Sequence, residues 1–456
     1  MGHDIGHRGA RSGNFPLIGT PRLAALSTYT LFATVWLIAT PSWGQTRLTL
    51  QQALASARTQ NLEVRQKDAE QQAARLARRD IDLGGLPQVR VSAGGAYAPA
   101  SRHFGYDPAL SDMGQLRGQA IVEQSLYDGG RRRAKRDRAE LDITALGNEQ
   151  AIAGVDRDLE VRHAFIEGLH AQAETSLRDE AVGDLSDYAQ LVTTLQAGGI
   201  ATSTDLLRTR VELATAQIEA TRARQALAES KFVLAVLMGT PADTAFVLSG
   251  ALSDSTFLGI AFGTPSLSLD TTGNLDLSGA RLSYEQSLAD VRAMQRERWP
   301  TITLSADAGY LNSRGNMVAP PSERYSGAGY SIGLSFDLPV FDWGSNHLQV
   351  QQRQLAAESA RYRLTIVQRQ QESRVRSALA GISALSEQLD TIQAAISTSQ
   401  DNFVLTKAKY VAGQALASEV LSARQLVTDM KLAELEAFAD RQALQADLQR
   451  ITTQTR

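Results

Sequence analysis

A stretch of this chain occurs twice, and the repeat decides what the rest can be. Leu-Pro-Gln-Val-Arg-Val-Ser-Ala-Gly-Gly-Ala-Tyr ends at Tyr97, and Trp-Pro-Thr-Ile-Thr-Leu-Ser-Ala-Asp-Ala-Gly-Tyr ends at Tyr310, 213 residues on. Leu126-Tyr127-Asp128-Gly129-Gly130 returns as Val340-Phe341-Asp342-Trp343-Gly344, and Gly199 with Asp205 and Leu207 returns as Gly413 with Glu419 and Leu421, both at 214. A constant offset over so long a span is a tandem duplication, so the 456 residues read as one body of two similar halves rather than as unrelated domains. Each half carries strand, strand, long helix, turn, long helix.

The strands alternate. Ile302, Leu304, Ala306, Ala308 and Tyr310 are interleaved with Thr303, Ser305, Asp307 and Gly309, and Ile332, Leu334, Phe336 and Leu338 with Ser331, Gly333, Ser335 and Asp337. A period of two gives one apolar and one polar face, which suits a half-buried soluble hairpin or a membrane hairpin alike. Val89–Tyr97 and Gln119–Leu126 form the matching hairpin of the first half, joined by a polar loop from Pro99 to Gly114.

Between Gly130 and Gln196 there is no proline, so a single helix of up to 67 residues, about 100 Å long, is allowed. Its interior glycines, Gly147, Gly154, Gly168 and Gly183, each cost a helix about 1 kcal/mol relative to alanine, which leaves room for a bend or local break near the first two. Apolar residues step by three and four through Leu141, Ala145, Ile152, Val155, Leu159, Ile166, Leu169 and Ala173, and more cleanly in the second half from Val375 through Leu389, Ile396 and Phe403 to Tyr410. That is coiled-coil spacing. Both long helices end at glycine turns, Ala197-Gly198-Gly199 and Ala412-Gly413, from which a partner returns; Leu207, Val211, Ala214 and Ile218 are the expected buried stripe of the first returning helix. Leu48-Thr49-Leu50 opens an earlier helical stretch reaching about Asp82.

Residues 1–44 read as a secretory signal peptide: Leu23–Ala39 is uncharged, follows Arg22, and leads to small residues at Ser42 and Gly44. The competing reading is a retained anchor, but the segment is shorter than the about 20 residues of a usual span. The remainder divides into a first repeat at 45–238, an irregular Ser/Thr/Gly/Pro-rich linker at 239–275, and a second repeat at 276–456.

Four amphipathic strands cannot close a membrane barrel, whose smallest examples have about eight, and an open sheet cannot sit in lipid. If these are membrane strands, the chain must share a barrel with copies of itself. An autonomous porin is thereby excluded; a coiled-coil adhesive or structural protein with hairpin ends remains the rival, and it would want strands polar on both faces.

Leu-Thr-Leu-Gln-Gln-Ala-Leu at 48–54, the Pro-started strands, Leu-Pro-Val-Phe-Asp-Trp-Gly at 338–344 and Tyr-Val-Ala-Gly-Gln-Ala-Leu-Ala-Ser-Glu-Val-Leu at 410–421 resemble the TolC-type outer-membrane efflux proteins over essentially Gln45 to Thr453. The resemblance implies an α+β membrane protein. It would be a homotrimer whose twelve-stranded outer-membrane β-barrel continues into a periplasmic α-helical coiled-coil barrel. It also implies a passive exit duct for a tripartite efflux system, worked by an inner-membrane pump of the resistance-nodulation-division or ABC type through a periplasmic adaptor; a type I protein-secretion duct is the alternative. In such a protein Gly198, Gly199, Gly413 and Gln414 are the helical tips that meet the adaptor, and Asp205, Glu419 and Tyr410 form the entrance constriction, with a Tyr410–Asp205 hydrogen bond between hairpins. A second acidic position is Ser422 here and a basic one is Ala415. Asp205 and Glu419 also suit the first turn of a returning helix as plain caps.

No catalytic constellation is present, and no cofactor or metal site is expected. The chain has no cysteine. His163 and His170 are two turns apart, too far to share a metal, and belong on a solvated face. A net charge of −3, or −5 without residues 1–44, does not favour nucleic acid. The basic run Arg131-Arg132-Arg133-Ala134-Lys135-Arg136 sits where a helix would leave the membrane and is expected to meet lipid head groups.

Overall fold

The computed structural model describes residues 46–96, 115–240, 245–253, 274–314 and 324–452. The expected signal peptide at 1–44, the expected hairpin loop at 99–114 and most of the expected linker at 239–275 lie outside the described residues.

The chain runs β1 (Thr46–Leu48), α1 (Leu50–Gln60), α2 (Leu62–Leu83), β2 (Gln88–Ala96), β3 (Gln115–Tyr127), α3 (Arg131–Ala197), α4 (Ser203–Leu237), β4 (Phe246–Leu248), α5 (Leu275–Arg296), β5 (Thr301–Arg314), β6 (Arg324–Asp337), α6 (Ser345–Val411) and α7 (Ala417–Thr452). The unit β–β–α–α therefore occurs twice, and α3 and α6 are each 67 residues long.

β2, β3, β5 and β6 form one antiparallel sheet in that order, so the two hairpins join through β3 and β5. Register places like with like across all four strands. Val89, Val122, Ala306 and Ile332 make one row, and Val91, Ala120, Ala308 and Tyr330 another. The rows between them are Gln88, Glu123, Ser305, Gly333 and Arg90, Ile121, Asp307, Ser331. Because side chains alternate faces, the middle of one face of the sheet is apolar and the other face is mainly polar; Gln124, Asn312 and Ser326 interrupt the first, and Ile121 and Leu311 the second. Arg90 pairs with Glu123, and the Ser331 hydroxyl donates to Asp307, on the polar side. The apolar side is bare in the single chain: Ile332, Leu334 and Phe336 are all exposed.

Both strand pairs leave the sheet through the same turn. Asp128 accepts the Gly130 and Arg132 N–H groups, each at 3.0 Å; Asp342 accepts those of Gly344 at 3.0 Å and Asn346 at 2.8 Å. One carboxylate thus satisfies free donors at the start of each 67-residue helix, where the helix dipole also favours negative charge. The Asn346 N–H holds the Asp342 carboxyl below the usual carboxylate range. The turn needs two left-handed residues. Gly129 and Gly130 supply them in the first half; in the second Gly344 follows Trp343, the sole non-glycine with positive φ (56°) among the described residues. A side chain there costs about 1–2 kcal/mol, which makes Trp343 a residue kept against local preference.

No break occurs at the α3 glycines: the helix is continuous from Arg131 to Ala197. A Cβ on Gly147 would lie 2.7 Å from Gln71 Nε2, one on Gly154 3.9 Å from Val64, and one on Gly168 2.5 Å from Leu248 Cδ1. Gly147 and Gly168 thus leave room on one face for α2 and β4, so close approach explains these two, while Gly154 faces α2 at ordinary contact distance. The linker likewise contains order: β4 pairs in parallel with β1, Thr46 to Phe246 and Leu48 to Leu248. Gln172 reads that strand with both ends of its amide, donating to the Leu248 carbonyl and accepting from its N–H, each at 3.1 Å. The early helical stretch is two helices, because Asn61 ends α1 and caps α2 with its side chain at the N–H groups of Glu63 and Val64.

The main core forms a belt at mid-height of α3. Val161 and Phe165 are fully buried there, against α1, Leu234 of α4 and the β1–β4 pair. Residues at the belt also hold polar cross-links. Asn148 donates to the Leu275 carbonyl, Asn274 to that of Ile451 and Gln442 to that of Leu252; Arg450 bridges Asp156 and Asp276.

Candidate functional site

Helix ends far from the sheet bear the residues singled out in the sequence. α3 ends in a Schellman turn, with the Ile200 N–H donating to the Leu195 carbonyl at 2.9 Å and Gly199 left-handed (φ 75°). α6 ends identically, with Gln414 donating to Lys409 at 2.8 Å and Gly413 at φ 73°. Only these two glycines are required by backbone conformation; Gly198 is right-handed and its counterpart is Ala412. Nothing lies within 4 Å of a Cβ placed on Gly199 or Gly413, and Ile200 and Leu416 stand exposed beside them. The tips are two small, partly apolar knobs.

Asp205 is the third residue of α4 in a capping box: Thr202 donates its N–H (3.1 Å) and hydroxyl (2.8 Å) to Asp205 Oδ2, and the Asp205 N–H returns to Thr202 Oγ1. Glu419 holds the same place in α7 and accepts the Leu416 N–H at 3.4 Å. Asp205 is half-buried and Glu419 exposed.

The expected Tyr410–Asp205 hydrogen bond is not formed within the chain. Thr202 already engages the Asp205 carboxylate, and the Tyr410 hydroxyl is buried without a hydrogen-bond partner. Tyr410 instead packs on Tyr188 of α3, rings 5.9 Å apart and tilted by 52°. With Val192, Leu206, Ala417 and Val420 this pair forms the hydrophobic lock between the two helical hairpins. Sequence reasoning missed Tyr188, although its spacing from Leu185 and Val192 by three and four was the available signal.

Both phenols are held above the ordinary tyrosine range, first by burial; the nearness of Tyr410 adds to the effect on Tyr188, and the Asp205 charge to that on Tyr410. The sign follows from linkage. A tyrosine freed from the packing ionises near about pH 10, while the packed pair stays neutral, so the opened state releases protons first and the lock weakens as pH rises above that value. Proteolytic cleavage at the tips, measured relative to an unstructured peptide at the same pH, should therefore accelerate from about pH 10 upward, and the Y188F/Y410F double variant should lack this step. An unchanged alkaline profile in that variant would show that other groups cause it.

Two further expectations change. Leu207, Val211, Ala214 and Ile218 are exposed, and α4 buries Leu206, Thr209, Ala220 and Ala223 instead, because the close helix contact selects small residues. Of the basic run, Arg131 bonds the carbonyls of Glu297 (2.7 Å) and Trp299 (3.2 Å), Arg132 pairs with Asp128 and Arg136 with Asp82. Nearby carboxylates and carbonyls claim these three, leaving Arg133 and Lys135 as the exposed cations. His163 contacts Asp447 across α3 and α7 at 2.9 Å rather than facing solvent alone. Among the described residues there is no group of three or more metal-ligating side chains, and no helix is long and apolar enough to cross a membrane.

Comparison with known proteins agrees with this layout. The pattern of the outer membrane efflux protein family matches residues 48–240 and 268–454. The outer membrane protein TolC of Escherichia coli (strain K12) is 29% identical over 164 residues, 35% of this chain and 33% of TolC, so the matched part is about a third of that relative. Among solved structures, CusC, studied for folding and transmembrane channel formation, superposes with a TM-score of 0.76 at 16% identity, covering 92% of this chain and 96% of CusC. VceC from Vibrio cholerae gives 0.71 at 17% identity over 88% and 95%. At those identities the superpositions establish the fold, and the family match over both halves establishes the rest: the chain belongs to the outer membrane efflux protein family, channels of the outer membrane that extend into the periplasm.

Proposed function

We propose that three copies assemble into the exit duct of a tripartite efflux system. The observation that carries this is the four-stranded sheet, mainly apolar on one face, with β2 and β6 each lacking a second neighbour among the described residues. Lipid tolerates no open strand edge, and three such sheets joined edge to edge give a closed barrel of twelve strands. The apolar face then meets lipid and the row from Arg90 to Ser331 lines water. The paired helices continue this barrel as a helical tube into the periplasm.

In this reading residues 45–238 and 276–456 are the two repeats, 239–275 the equatorial linker and 1–44 a signal peptide. Gly198, Gly199, Gly413 and Gln414 are the tips that dock with a periplasmic adaptor. Asp205, Glu419 and Tyr410 surround the periplasmic entrance. The duct performs no chemistry; an inner-membrane pump supplies the work and solutes pass down their gradient.

A deletion strain should accumulate a fluorescent pump substrate, and the wild-type chain should restore its efflux. Unchanged efflux with loss of an exported protein from the medium would instead identify a type I secretion duct.

A further inference from the structure

Inside the chain, the turn that leaves the first hairpin rests on the start of the second. A Cβ on Gly129 would lie 2.5 Å from Trp299 Cβ and 3.4 Å from the Pro300 carbonyl oxygen, and Arg131 fastens the junction through the Glu297 and Trp299 carbonyls. The duplication gives every member a counterpart: Trp343 for Gly129, Leu86-Pro87 for Trp299-Pro300, and Ser345 for Arg131. Those counterparts do not meet within the chain. Trp343 is 88% exposed, with its ring contact to Phe341, and Leu86 is 55% exposed; they flank the two open edges of the sheet, β6 and β2.

We propose that Trp343 of one copy packs on Leu86 and Pro87 of the next, at the between-copy equivalent of the Gly129–Trp299 junction. The proposal rests on the three-copy reading and adds to it the residues that join the copies. Shifting the β3–β5 register by the repeat pairs Phe336 with Ala93, and Leu338 with Val91, of the neighbouring copy. Phe336, Ala93 and Val91 lie on the face that is apolar within one chain. The same register carries the turn at Trp343 onto the strand start at Leu86. A second copy is favoured over lipid as the occupant because this pairing follows from strand closure itself and needs no separate attraction.

The two kinds of junction differ in build. Within the chain a small residue lies under a Trp and an arginine clamps the turn. Between copies the spacing that forces glycine at 129 cannot hold a Trp, so the gap is wider; the indole fills it and the clamp is absent. Six junctions around the barrel thus alternate, three tight and three filled. Retaining a left-handed Trp is then accounted for by the contact it makes in the assembly.

The chain contains no cysteine, so L86C/W343C gives a clean test. A short bis-maleimide or oxidant should produce covalent dimers and trimers from the double variant in membranes and none from either single variant. A trimer by native mass that yields no covalent species overturns the junction while leaving the three-copy reading intact; a wild-type monomer overturns both. W343G relieves the backbone yet should lower the temperature of trimer dissociation, with W343F close to wild type. Equal dissociation temperatures for all three overturn the proposal. So does Trp343 fluorescence, in a processed W299F chain, that brominated phospholipid quenches as fully as a lipid-exposed indole.

Discussion

Leu334→Arg should nearly abolish recovery of the assembled trimer from outer membranes, whereas Ser335→Arg should leave it close to wild type. The two positions are neighbours on β6, but Leu334 pairs with Leu304 on the apolar face and Ser335 with Thr303 on the polar one. An arginine at mid-depth on the lipid side costs on the order of 2–4 kcal/mol per chain, and three copies carry it at once. On the water-lined side the same side chain stays solvated. The measurement is the yield of heat-modifiable trimer on a gel at equal expression. Equal yields would mean that the apolar face of the sheet does not meet lipid.

The second large effect concerns the tips. Replacing Tyr188 and Tyr410 together with alanine should raise single-channel conductance in planar bilayers several-fold, because the aromatic pair joins α3 to α6 within the lock between hairpins. Each deletion of a buried aromatic costs about 3–5 kcal/mol where the surroundings cannot collapse, and the two share a contact, so their effects will not add. Tyr410→Phe alone should conduct like the parent, since its hydroxyl has no partner to lose. Glu419→Ala should leave the lock intact and weaken block by divalent cations, which an exposed ring of three carboxylates would attract. If the double alanine variant conducts like the parent, the closed state is held elsewhere.

The legible parts of this fold were those that local pattern determines. Alternation gives the strand faces, and the repeat gives the two glycine turns, because each needs only residues near in sequence. The belt was not legible: β1 and β4 are three residues each and lie 200 residues apart, with no periodicity to announce them. The buried side of α4 is not legible either, because large apolar residues also line the face left exposed in one chain, while Thr209, Ala220 and Ala223 mark the close contact. Asp205 and Glu419 were placed correctly as first-turn acids, yet the partner of Tyr410 was not, since Tyr188 comes from a helix 222 residues earlier. Long-range pairing is where single-sequence reading ends.

The belt also divides α3 mechanically. Gripped by α1, α2 and β4 up to Gln172, the helix then runs on to Ala197 beside α4 and α7, roughly 25 residues or about 37 Å. That length, braced by the neighbouring helices that move with it, is a lever arm with its fulcrum at Phe165 and Gly168. A tilt of about 3° at the belt carries the tip by about 2 Å, on the scale of a side chain, with no hydrogen bond of the helix broken. With the tips around the entrance as proposed, its widening would be geared to a small rotation at the waist, and substitutions at Gly168 or Leu248 would act on it from a distance that no contact at the tips reveals.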